Sequence, residues 1–72
     1  MTKQSVEKLQ DAGYVFIRME ERVGNDGKKK HIIKQSAEFG VWKNLETFDT
    51  RAACMRRLRE LDENPFMIIS QS

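Results

Sequence analysis

The chain has 72 residues, 39% of them apolar and 33% charged, and its 13 lysines and arginines exceed its 11 acidic residues by a net charge of +2. That length holds one small domain, residues 1–72, near the lower limit at which a core supports itself without disulfides or metal. The single cysteine, Cys54, excludes an intramolecular disulfide and a cysteine-built zinc cluster, and a lone thiol fits a reducing cytoplasm. No run approaches the roughly 20 apolar residues that span a bilayer, and the first residues lack a signal peptide's apolar stretch, so the expectation is a cytoplasmic protein without a membrane partner.

Residues 2–12 predict a short helix, with Thr2 as cap, Val6 and Leu9 on one face, and Gly13 as the residue that ends it. The stripe is thin, so this helix needs a surface to dock on. Residues 14–23 alternate as a strand, with Val15, Ile17, Met19 and Val23 on one face and Tyr14, Phe16, Arg18 and Arg22 on the other. Gly24-Asn25-Asp26-Gly27 tolerates positive φ and predicts a hairpin.

A second strand, residues 28–35, starts with the run Lys28, Lys29, Lys30, His31 and then places Ile32 and Ile33 on opposite faces. Its cationic start predicts a surface position for His31. Residues 36–40 predict a turn. A third strand follows over residues 41–48, with Val41, Lys43, Leu45 and Thr47 on one side and Trp42, Asn44, Glu46 and Phe48 on the other. Three strands with short connections predict an antiparallel meander.

The two-residue period then gives way to a helical one. Asp49-Thr50 is a cap, and residues 50–63 form a helix whose stripe is Cys54, Leu58 and Leu61. Arg56, Arg59, Glu60 and Glu63 fall on its outer side, with Arg59 and Glu63 spaced for an ion pair. Asn64-Pro65 stops it. Residues 66–70 are an apolar run that predicts a short buried strand, adding to the sheet edge or pairing with another chain. The fold class is therefore α+β, a three-stranded antiparallel meander packed on one main helix, with a short N-terminal helix and a short C-terminal strand (αβββαβ). The expected core is Val15, Ile17, Met19, Ile33, Leu45, Phe48, Cys54, Leu58, Leu61 and Ile68.

Residues that carry catalysis are sparse. His31 is the one histidine and sits in a lysine run, Cys54 lies on the buried helix stripe, and no Gly-rich phosphate loop or metal-loop spacing of carboxylates occurs. These residues point to no enzyme, no cofactor, no metal and no small-molecule substrate. The basic segments offer more. Lys28, Lys29 and Lys30 at a hairpin tip, with Lys34, Arg18 and Arg22, have the chemistry to contact phosphates, and Tyr14, Phe16 and Trp42 have the chemistry to stack bases. The plainer alternative has the lysines solubilising a loop, the arginines balancing acids, and the aromatics buried under the first helix.

Three strands followed by Phe48-Asp49-Thr50-Arg51-Ala52-Ala53 and an arginine-bearing helix resemble small three-stranded DNA-binding domains, namely the ethylene-response-factor type and the arm-site-binding domains of tyrosine integrases. The resemblance covers residues 14–61 and implies a sheet laid in the DNA major groove with the helix packed behind it. This chain departs from the pattern in its N-terminal helix and its C-terminal strand, either of which can cover that sheet face. The expected function is a non-enzymatic nucleic-acid-associated accessory or regulatory protein, binding DNA or RNA through the lysine hairpin and a sheet face. The alternative is a protein-binding or self-associating, homodimeric module. It rests on aromatic and methionine side chains that a domain this small has difficulty burying, and on the C-terminal strand as a pairing edge.

Overall fold

In the computed structural model, which describes residues 2–69, Thr2 opens the first helix. Its side-chain oxygen accepts the Ser5 backbone N–H at 3.2 Å, filling one of the donors a helix start leaves free. Helix α1 runs Lys3–Asp11, and Gly13 then turns the chain at φ 99°, a left-handed conformation costly for any residue with a Cβ. Strands β1 (Val15–Val23), β2 (Lys29–Glu38) and β3 (Val41–Phe48) form the expected antiparallel meander. Gly27, at φ 78°, closes the first hairpin by donating its N–H to the Gly24 carbonyl at 3.0 Å.

Helix α2 runs Arg51–Asp62, with the Thr50 side chain accepting the Ala53 N–H at 3.2 Å. The last strand, β4 (Met67–Ile69), lies parallel to β1 and pairs Val15 with Met67, Phe16 with Ile68 and Ile17 with Ile69. The sheet order is β3-β2-β1-β4. Thus the C-terminal segment adds to the sheet edge of its own chain; Ser70, the end of the expected strand, lies outside the described residues. None of the described helices is long and apolar enough to cross a membrane.

The core lies between the sheet and α2. Ile17, Ile33 and Cys54 are fully buried and Leu61 nearly so, with Val15, Met19, Leu45, Phe48, Leu58, Met67 and Ile69 packed around them. Each fully buried isoleucine contributes roughly 1.5–3 kcal/mol of transfer free energy. The second layer lies on the opposite face. Phe16 is buried there, and its cross-strand partner Ser36 receives two hydrogen bonds from the Gln10 amide of α1, at 3.0 and 3.1 Å. Helix α1 therefore sits over the Phe16–Ser36 end of the sheet, with Val6 and Leu9 half-buried.

Four expectations need correction. Ile68 is not part of the α2-side core, because its pairing with Phe16 puts it on the opposite face, while Met67 and Ile69 join the core. His31 is buried, not a surface residue: it alternates with Ile33 on the α2 side and stands opposite Phe48. Strand β2 continues through Ser36 to Glu38, and the turn is confined to Phe39 and Gly40. Leu45 and Phe48 do not lie on opposite faces. Between the pairs Ile33–Glu46 and Lys34–Asn44, Leu45 is an extra residue in β3, and this bulge lets both side chains reach the core.

Candidate functional site

The sheet face opposite α2 is covered by α1 only at its Phe16–Ser36 end. From there towards the hairpin tip the alternation of β1 and β2 places Arg18, Glu20 and Arg22 beside Lys34, Ile32 and Lys30. Trp42 and Asn44 of β3 continue the same face, because Asn44 is paired with Lys34. Four cations thus share one surface with Glu20, and Asp49 stands at its border.

Arg18 reaches across β2, and its guanidinium carbon lies 4.4 Å from the centre of the Trp42 ring. This stacking fixes a long side chain that otherwise keeps much rotamer freedom. Its Nε is closed to solvent and has no hydrogen-bond partner, and no carboxylate pairs with the guanidinium among the described residues. The neighbouring cations are held differently. Glu20 lies 2.9 Å from Lys34 Nζ and 3.3 Å from Arg22 Nε. The Lys34 hydrogen bond, more than partial burial opposes it, holds the Glu20 carboxyl below the usual range, and Arg22 adds to the effect. Lys30 pairs with Asp49, whose carboxyl is lowered by that hydrogen bond while the Lys30 ammonium is raised by it.

The other expected site residues are dispersed. Lys29 lies on the α2 side, 3.5 Å from Glu21, whereas Lys30 is on the open face, so the lysine run does not form a single patch. Lys28 sits in the turn and donates its backbone N–H to Asp26 at 3.0 Å. Phe16 is buried under α1 and out of reach of a ligand. Tyr14 packs its ring on Phe66, with centroids 5.7 Å apart. Of the three aromatics expected to stack bases, Trp42 is half-buried and lies opposite Ser36 and Ala37, at the foot of α1. Sequence reading overlooked Glu20 and Asp49 as the carboxylates that organise the cations; an acidic residue at alternate spacing from arginines on one strand is the signal for Glu20.

On α2, Arg57 donates to Glu46 of β3 at 2.7 Å and to Glu60 at 3.0 Å, and these contacts raise its pKa. Arg59 and Glu63 form no ion pair among the described residues. Cys54 is fully buried, and burial, with a smaller effect of Glu46, pushes its thiol up, away from the reactive thiolate. An open groove of about 580 Å³ runs between α2 and β4, with Met55, Leu58, Met67 and Ile69 along it. Comparison with known protein families, with curated proteins and with solved structures found no match.

Proposed function

We propose that the chain is a non-enzymatic, nucleic-acid-associated accessory or regulatory protein of the cytoplasm, engaging phosphates with its open sheet face and hairpin lysines. The observation that supports this reading is the Arg18–Trp42 stack, a guanidinium without a carboxylate partner among the described residues, on a face that also carries Arg22, Lys30 and Lys34. A flat aromatic beside cations is the combination that nucleic-acid surfaces use. Titration of labelled oligonucleotides between about 50 and 200 mM salt tests it. With four phosphate contacts the affinity falls roughly 50-fold for a single strand to roughly 150-fold for a duplex over that range. Replacing Lys28 and Lys30 by alanine weakens binding further and flattens the salt slope. An absence of binding to DNA or RNA at the lowest salt removes the proposal.

A second reading, a self-associating module, has one observation in its favour. Among the described residues β4 has three and its outer edge is unpaired, and the groove beside α2, with Arg59 and Asp62 among its apolar side chains, adjoins it. A second copy pairing β4 to β4 across a two-fold axis satisfies that edge. Sedimentation at high protein concentration decides it, since a strict monomer excludes the dimer.

A further inference from the structure

We infer that the face takes a single nucleic-acid strand rather than a duplex, with one unpaired base seated on the Arg18–Trp42 stack. This rests on the nucleic-acid reading above and names the form of the ligand.

The argument is steric first. Arg18 is two residues from Phe16 on β1, so the stack lies at the foot of α1, where that helix stands on the Phe16–Ser36 end of the sheet. A helix with its side chains is about 10–12 Å across. The DNA major groove is about 12 Å wide and 8.5 Å deep, enough for one helix or one two-stranded ribbon. For Arg18 to reach a base edge in a duplex, the three-stranded sheet and α1 would have to enter the groove together, and the groove does not hold both. An unpaired base needs only a flat surface at the edge of a cleft.

The shape of the remaining surface agrees. From Arg18 to Val23 the face extends about 17 Å at the rise of a strand, room for a few nucleotides but not for a length of duplex. Along that path Arg22 and Lys30 are exposed to a backbone crossing the strands, with Lys34 largely covered between them and Arg18. Each is already paired with Glu20 or Asp49, so a phosphate replaces a carboxylate instead of desolvating a bare cation. At the stack itself, the Arg18 guanidinium over the Trp42 ring brings a planar fork of N–H donors beside the indole, the kind of donor that acceptors on a base edge or phosphate take.

Trp42 is the one tryptophan of the chain, so its emission reports on this position alone. The experiment titrates the full chain at low salt with a mixed-sequence strand of 12 nucleotides and with the same sequence as a duplex, following oligonucleotide anisotropy and Trp42 emission together. The strand is expected to bind at least tenfold more tightly and to quench Trp42 by more than half, with the duplex leaving emission near its free value. Trp42→Phe retains the preference, and Trp42→Leu loses roughly five- to a hundredfold in strand affinity. Arg18→Lys keeps the charge and the salt slope but loses the quench. Duplex binding as tight as strand binding, or strand binding without quenching, overturns the inference and leaves the nucleic-acid proposal standing. Failure of both forms to bind overturns the two together. The wild-type comparison needs no variant, so a misfolded substitution does not decide the matter.

Discussion

Ile17 and Ile33 are both fully closed to solvent, and a domain of this length has only roughly 4–11 kcal/mol of total stability to lose. Ile33→Val is expected to cost about 1 kcal/mol and Ile33→Ala about 2–5 kcal/mol, read from urea midpoints, so the alanine variant approaches unfolding at 25 °C. The charged residues of the open face give a pH dependence of definite sign. Glu20 and Asp49 have carboxyls lowered by Lys34 and Lys30, so their contribution is complete above the ordinary carboxylate range and disappears as pH falls through the lowered values. Urea midpoints should therefore decline below about pH 4, and Glu20→Gln should make that decline shallower. Lys30 is raised, so its contribution is complete below the ordinary lysine value and fades only as pH rises through the raised one. An acid limb identical in wild type and Glu20→Gln contradicts the pairing.

At the scale of elements, helix starts were legible because capping is local. Thr2 and Thr50 each sit one residue before a helix and accept a backbone N–H three residues on. Thr50→Ala is expected to lose about 1 kcal/mol, measured in the same denaturation experiment. The αβββαβ order was legible for a similar reason, since alternation, turn residues and helical spacing all act over a few residues. What depended on distant pairing was not. Leu45 alternates normally in sequence, and only its partners Ile33 and Lys34 on β2 reveal it as an extra residue. The burial of His31 follows from the face that α2 covers, a fact absent from its lysine-rich neighbourhood. For the candidate site, residue types were legible and adjacency was not. Arg18 meets Trp42 by crossing an intervening strand, at a place where Ser36 and Ala37 stand against Trp42 alone. Lys29 and Lys30 are neighbours in sequence, yet the strand sends them to opposite faces.

The whole molecule is thin and long, with principal extents of 40 × 24 × 16 Å. Its helices cover opposite faces of the sheet at different places, and the open face exists because α1 is short and stays at one end. The order β3-β2-β1-β4 also governs how the molecule can come into being. During synthesis the meander is available first, and in it β1 is an outer strand. The chain that completes it, Met67 to Ile69, arrives some fifty residues after Val15. At ordinary translation rates that interval is roughly 3–10 s. For that time β1 leaves the backbone edge of an apolar stretch, Val15-Phe16-Ile17, unpaired, the kind of edge that recruits other chains. A chain stopped after Asn64 stays in this condition, and it is expected to aggregate on expression where the 72-residue chain does not. Met67, Ile68 and Ile69 thus act as the cover for a strand made some fifty residues earlier.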